Sequence, residues 1–354
     1  FFSYAKGLVE NGIDTTAVSI KPGLSKSVSE YSGVYHSVPY KILTNKRLWG
    51  LGKLFKLFAV LMAQFTLFSL LKRKKKESGH LAVILVSNKF FIIICTRVIT
   101  WLLGVSLYQE KSEFPFLMMS ASTYKRRILA PIYIAIVYKL FDGMIVMTSA
   151  LLEYFTDKVR KSARLLLFPL TIDFNRFDQA LPDTDRFNFR FIGYCGSMSG
   201  DKDGILDLLN AFSLVLKRFQ EIKLVLVGSA GEKDMAQIKD RIRVLNMTES
   251  VVLFGQVGRD EIPSFLKSAE VLVLARPANL QAAGGFPSKL GEYLASSRPV
   301  VVTNVGEIDR YLNHEEHALL CTPGDMRLFA DLILSILSSP EKYKEMTING
   351  RYLA

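Results

Sequence analysis

Apolar runs alternate with amphipathic ones along most of the chain. From Leu81 the residues read LAVILVSN, FFIIICTRVITWLLG and VSLYQE, which predicts a strand, a helix and a strand. TYKRRILAPIYIAIVYKLF then reads as a second helical stretch, and DGMIVMTSALLEYF as a strand passing into a helix. Continuous apolar runs separated by helical segments predict parallel strands covered on both faces. The chain opens on FFSYAKGLVENGIDTTAVSI, a helix ending near Asn11-Gly12 and leading into a strand, with no initiator Met and no signal peptide. A doubly wound domain starts on a strand, so the sequence is expected to be a piece whose first strand lies upstream. Its C-terminal end is expected to be truncated as well.

The pattern breaks between Asp178 and Asn188, where QALPDTDRFN is polar, contains a Pro and shows no period. Alternation resumes at once with FRFIGYCG, ILDLLNAFSLVLKRF, IKLVLVGSAG, KDMAQIKDRIRVLN, VVLFGQV, IPSFLKSA, EVLVLARP, GEYLAS and PVVVTN. Two tandem α/β domains are therefore expected, residues 1–181 and 182–354, each a doubly wound Rossmann-like parallel sheet. Sheets of this kind bind ligands beyond the carboxyl ends of their strands.

Composition narrows this reading only in places. A chain of 354 residues exceeds one ordinary core, and 49 % apolar with 22 % charged residues is a normal globular balance. The formal charge of +12 attracts polyanions, which keeps phosphorylated substrates, anionic membranes and nucleic acids in play. Cys95, Cys195 and Cys321 lie far apart without metal-ligand spacing, a pattern that suits free thiols in a reducing compartment. The stretch from Leu54 to Leu71 is about as long as a membrane span and is followed by Lys72, Arg73, Lys74, Lys75 and Lys76. Lys56 and Gln64 within it argue for a packed or membrane-lying helix rather than a span, and the basic run then suits anionic head groups. A solvated charged turn would read the same way.

Three loops of the second half carry candidate chemistry. In the segment Gly196 to Gly204, Gly196 and Ser197 follow a predicted strand and Lys202 offers a cation just before a helix. Gly228 opens a strand-to-helix turn, Gly228-Ser229-Ala230-Gly231, that lacks the dinucleotide G-x-G-x-x-G spacing. Each of these two alone fits an ordinary turn equally well. The third runs Gly284-Gly285-Phe286-Pro287-Ser288-Lys289 into a helix that carries Glu292. Free N–H groups at Ser288 and Lys289 would stabilise a diphosphate, and Glu292 could accept from a vicinal diol such as a ribose. An exposed helix acid is the alternative role for Glu292.

The sequence here resembles the retaining glycosyltransferases of family 4, whose GT-B fold has two Rossmann-like domains facing across a cleft. FDGMIVMTSALLEYF, FPLTIDFNRF, GYCGSMSGDKDGILDLLNAF, LVLVGSAG, VVLFGQV and FPSKLGEYLASSRPVVVT stand in the family's order and cover most of the chain. The resemblance implies Lys202, Ser288 and Lys289 on the donor phosphates, Glu292 on the ribose, and Gln256 and Val257 beside the base. Gly284 stands where the family usually has a Glu for the transferred sugar, and Ser197 where it often has an Arg. Asn88 stands where many relatives have a His facing the sugar, while His36, His80, His314 and His317 lie elsewhere.

Glu110 and Glu113, at the end of VSLYQEKSEFP, are candidates to orient or deprotonate an acceptor hydroxyl, or to serve in salt bridges. The expected function is transfer of a sugar from a nucleoside diphosphate sugar to an acceptor, a lipid-linked glycan of a bacterial surface polysaccharide. No cofactor or metal is expected, because no Asp-x-Asp motif sits in a suitable loop. The expected place is the cytoplasmic side of the membrane, peripherally bound. Two alternatives stay open, a non-catalytic sugar-nucleotide-binding subunit and a nucleotide-sugar epimerase. Nucleic acid is not expected as a partner, since the basic run is short and lacks interleaved aromatics.

Overall fold

A computed structural model describes residues 2–20, 31–44, 52–115, 124–169, 171–198 and 202–354. The chain divides into two compact units: Phe1–Lys111, Leu117–Val146 and Leu152–Phe168 form the first, and Ser112–Phe116, Met147–Leu151 and Pro169–Ala354 the second.

The first unit holds a four-stranded parallel sheet of β4 (Ala82–Leu85), β5 (Ser106–Lys111), β6 (Gly143–Val146) and β7 (Arg164–Leu167), in that order. The helix Phe90–Leu102 crosses from β4 to β5, as the apolar periodicity predicts. Its Ile93 packs with Leu107, Val137 and Phe141. A separate three-stranded sheet joins β1 (Ala17–Ser19) in parallel and β2 (Ser32–Tyr35) antiparallel to a central β3 (Val38–Ile42). The β2–β3 hairpin turns on His36 and Ser37, with φ of 46° and 67°. Such turns ordinarily announce themselves by Asn-Gly or Asp-Gly, and this one does not, so the hairpin was not legible beforehand.

The helix Lys53–Ser78 is one continuous element. Its segment Phe55–Ser78 is long and apolar enough to cross a membrane, yet Ala59, Ala63, Gln64, Leu67, Leu70 and Leu71 are buried in the protein. Leu67 and Leu71 pack against Ile99.

The second unit is built on six parallel strands: β8 (Phe191–Cys195), β9 (Lys223–Val227), β10 (Val251–Gly255), β11 (Val271–Leu274), β12 (Val300–Thr303) and β13 (Leu319–Cys321). Their spatial order is β10-β9-β8-β11-β12-β13. Counted from β8 this is the Rossmann order, and the order of strand addition reverses between the parallel neighbours β8 and β11. Every residue of β11 and β12 is buried, which is why these strands read as unbroken apolar runs.

Residues 178–188, expected as the linker, fall inside this second unit. Phe187 is buried, with ring centroids 5.0 Å from Phe191, 5.4 Å from Phe254 and 5.5 Å from Phe265. The Asp183 N–H donates to Ser268 Oγ at 2.7 Å. One buried aromatic therefore ties a polar stretch to the core. Phe187→Ala should lower the unfolding free energy by ~3 kcal/mol, the usual cost of truncating a buried Phe, as read from urea denaturation.

Candidate functional site

The strand order reverses between β8 and β11, the point at which sheets of this kind bind ligands beyond the carboxyl ends of their strands, and the residues there meet for steric reasons. Gly196 follows β8 with φ of 158°, and a Cβ on it would sit 1.9 Å from Lys289 Cε. Gly228 follows β9 with φ of 137°, and a Cβ there would lie 1.8 Å from the Gly196 carbonyl oxygen. Gly204 follows with φ of 64° against the Ala275 carbonyl that ends β11. Only glycine allows these turns to close on one another.

The helix Ser288–Ala295 is clamped to the end of β8. Tyr293 OH accepts from the Cys195 N–H at 2.8 Å, and Lys289 Nζ donates to Tyr194 OH at 2.9 Å. Lys289 also pairs with the buried Asp203 at 2.6 Å. Burial lowers the Lys289 pKa, with Asp203 opposing, and burial likewise raises the Cys195 thiol to about 12. That thiol is therefore not a nucleophile at neutral pH. Pro287 stands at the helix N-cap without a side-chain cap, and of the first-turn N–H groups that of Leu290 donates to the Pro287 carbonyl at 2.9 Å.

Lys202 forms an ion pair with Glu113, and Gln281 Nε2 reaches the other Glu113 oxygen at 3.5 Å. Arg276, buried at the end of β11, donates toward the carbonyls of Lys202 and Gly285 at 3.5 and 3.4 Å. Burial lowers its pKa while Asp203 and Glu113 oppose. Arg276 was not among the sequence candidates, and its place directly after the run EVLVLA at the switch point was the available signal.

Glu292 is expected to accept from a ribose or to stand as an exposed helix acid, and the structure gives it a partner and a half-buried place. Arg176 Nη1 donates to Glu292 Oε1 at 2.9 Å, while Arg176 Nη2 donates to the Arg259 carbonyl at 2.5 Å. Arg176 lies in the helix Phe174–Asp178, within the FPLTIDFNRF segment, and sequence reasoning passed over it. Gln256 is exposed and donates to Ser229 Oγ at 2.9 Å, whereas Val257 packs against the core. Gly284 lies against Phe114, whose ring a Cβ would meet at 1.9 Å, and its carbonyl accepts from Thr148 Oγ1 at 3.0 Å. Gly285 and Phe286 lead from it to Pro287, and the Phe286 ring meets Tyr311 edge-on. Ser197 accepts at its carbonyl from Tyr194 OH. Ser199, Gly200 and Asp201 lie outside the described residues.

Asn88 and Glu110 belong to a different cluster, in the first unit. Asn88 is exposed beyond the end of β4, and Lys111 at the end of β5 donates to its Oδ1. Tyr133 OH donates to the Asn88 carbonyl at 2.9 Å. Lys111 is buried, with Nζ 5.6 Å from the centroid of the Tyr138 ring. Burial pushes the Lys111 pKa down to about 8, with Glu110 opposing. Burial raises the Glu110 pKa in turn, which favours its acting on a proton. Glu113 is not part of this cluster, since it serves as the partner of Lys202.

Residues 190–339 match the family model described as "Glycosyl transferases group 1". This stretch is similar to the group 1 glycosyl transferases, over less than half of the chain. Among curated relatives, mannosylfructose-phosphate synthase of Agrobacterium fabrum is 27 % identical over 207 residues, covering 54 % of this chain and 44 % of its own. The capsular polysaccharide biosynthesis glycosyltransferase CapM of Staphylococcus aureus is 29 % identical over 181 residues, covering 51 % and 45 %. The matched region thus spans less than half the length of these relatives. Solved structures match over 99 % of the chain: a glycosyltransferase of Rickettsia africae at a TM-score of 0.69 and 14 % identity, covering 88 % of that chain, and HepE of Anabaena in complex with UDP and glucose at 0.70 and 15 %, covering 89 %. The fold is GT-B, with two Rossmann-like units in tandem.

The Lys111 environment sets a pH dependence. Below pH 8 both folded and unfolded chains carry its charge, and burial of that charge costs stability in full. Between about 8 and 10.5 the unfolded chain binds more protons, so stability rises with pH. Lys111→Met should therefore raise the unfolding free energy at pH 7 by roughly 1–3 kcal/mol, and the gain should shrink toward pH 10 in parallel denaturant titrations.

Proposed function

We propose that the protein transfers a sugar from a nucleoside diphosphate sugar to an acceptor hydroxyl, with retention at the anomeric carbon. The observation that carries this reading is the convergence of Lys289, Lys202 and the uncapped N-terminus of helix Ser288–Ala295 at the β8/β11 switch point. A diphosphate is the ligand that suits two cations and a helix N-terminus together. Glu292 lies one turn further along, where a ribose follows its diphosphate. HepE, the structural neighbour, is described in complexes with UDP-glucose and with UDP and glucose, which supports a nucleotide-sugar donor.

In this reading the bond from the anomeric carbon to the diphosphate oxygen breaks, and the diphosphate leaves with the electron pair. Lys202, Lys289 and the first-turn N–H groups stabilise the charge that develops on it. The acceptor oxygen forms the new bond to the anomeric carbon and loses its proton. That proton passes to the departing diphosphate, whose bridging oxygen gains charge as the glycosidic bond breaks. Arg176 positions Glu292 through Oε1, which leaves Oε2 for the ribose. No metal enters this reading, since Lys202, Lys289 and the helix N-terminus already supply oriented donors for the diphosphate.

The acceptor we propose is a lipid-linked glycan in the assembly of a bacterial surface polysaccharide, at the cytoplasmic face of an anionic membrane. The name of CapM and the basic run from Lys72 to Lys76 support this part. Gly284 favours the non-catalytic alternative, because no side chain is available there to hold the transferred sugar.

Incubation with a panel of nucleotide sugars and lipid extracts should release nucleoside diphosphate only when acceptor is present. Tight donor binding without release would instead identify a binding subunit, and acceptor-free interconversion of the sugar an epimerase. Lys202→Ala should slow release roughly ten- to a thousandfold, and unchanged turnover in folded protein would remove Lys202 from the site.

Glu292→Gln should weaken nucleoside diphosphate binding about ten- to a hundredfold by calorimetry. It should also cost about 1 kcal/mol of stability, because Arg176 loses its charged partner. Loss of stability with normal affinity would make the pair purely structural.

A further inference from the structure

The helix Lys53–Ser78 has two unlike faces. At 3.6 residues per turn, Ala59, Ala63, Leu67, Leu70 and Leu71 fall on one side, and all are buried. The opposite side carries Phe58, Leu61, Met62 and Phe65, then Lys72 and Lys76, and all of these are exposed. One face is thus apolar along its first half and cationic along its second.

A second element adds to it. Helix Phe90–Leu102 packs on the first through Ile99 against Leu67 and Leu71. It ends with Trp101 and Leu102 exposed by 69 % and 61 %. Lys75 Nζ donates to the Gly104 carbonyl at 3.4 Å, just beyond that end, so the tryptophan tip stands beside the basic run.

We propose that this two-helix face of the first unit docks flat on an anionic lipid bilayer, with Trp101 and Leu102 entering the head-group boundary beside Lys72 to Lys76. This deepens the membrane part of the function proposed above and does not depend on glycosyl transfer. An indole at the end of an apolar helix suits the interface, where its ring is buried and its N–H stays wet. Adjacent ammonium groups gain from anionic head groups.

Charge selects this occupant over a second copy of the chain, since pairing two such faces would bring two basic runs together in a molecule of net charge +12. Packing selects docking over spanning. A span would strip Leu67 and Leu71 from Ile99 and place Gln64 and Lys56 in hydrocarbon.

The test uses the full chain with vesicles of phosphatidylcholine alone or with about one quarter phosphatidylglycerol. Binding is expected only to the anionic vesicles and should be released by roughly 0.5 M salt. Trp49→Phe leaves Trp101 as the single tryptophan, whose emission should shift to the blue on binding and be quenched by brominated lipid. The double variant Trp101→Ser, Leu102→Ser and the double variant Lys72→Ser, Lys76→Ser should each weaken binding about tenfold or more. Their melting curves should match the parent, since these side chains are exposed.

Equal binding to neutral vesicles, an unmoved Trp101 spectrum on vesicles that do bind the chain, or resistance to carbonate extraction from native membranes would each overturn the proposal. Donor turnover on a soluble acceptor is read separately, so turnover without vesicle binding removes the docking face alone. Vesicle binding without turnover removes the transferase reading alone.

Discussion

The loop after β8 has to pass between the turn after β9 and the side chain of Lys289, and the space is too narrow for a Cβ at Gly196 or Gly228. Much else in the second unit follows from that passage. It lets Lys289 lie along the backbone, reach Tyr194 and pair with Asp203. It brings the start of helix Ser288–Ala295 to the end of β8, where Tyr293 fixes it to Cys195. A helix N-terminus is held at the point where the order of a parallel sheet reverses, and neither feature alone would make an anion site as well as the two together.

The cations around this switch point are compensated within the chain. Lys289 has Asp203, Lys202 has Glu113 and Arg176 has Glu292. Buried cations need such partners, because an unpaired one would lose more in desolvation than the fold could easily return. An anionic ligand would therefore meet groups already oriented by their carboxylates. Its gain would come from geometry and from the helix N–H groups more than from naked charge. The +12 excess of the chain resides in part elsewhere, notably in the exposed Lys72, Arg73 and Lys76 of the first unit.

Lys111 differs from the cations of the second unit. It is buried beside a tyrosine ring and bonded to an amide oxygen rather than to a carboxylate. Its lowered pKa and the raised pKa of Glu110 have one cause, the withdrawal of water from the end of β5. Burial thus shifts two adjacent residues of one strand in opposite directions, Lys111 down to about 8 and Glu110 upward, each toward its neutral form.

The sequence by itself determined the α/β class, the parallel strands and the glycine loops that bear Lys202, Lys289 and Glu292, because burial on both faces and positive φ constrain residue type locally. It also marked Asn88, Glu110 and Glu113 as ends of strands. Tertiary structure alone decided which partners they meet: Arg176 on Glu292, Glu113 on Lys202, Lys111 on Asn88, and Phe187 drawing a polar stretch into the core. Hydrophobic period records which face is buried and says nothing about which distant side chain will pack there. The β2–β3 hairpin stayed hidden for a related reason, since its turn residues His36 and Ser37 take left-handed angles only under the pairing of the strands they join.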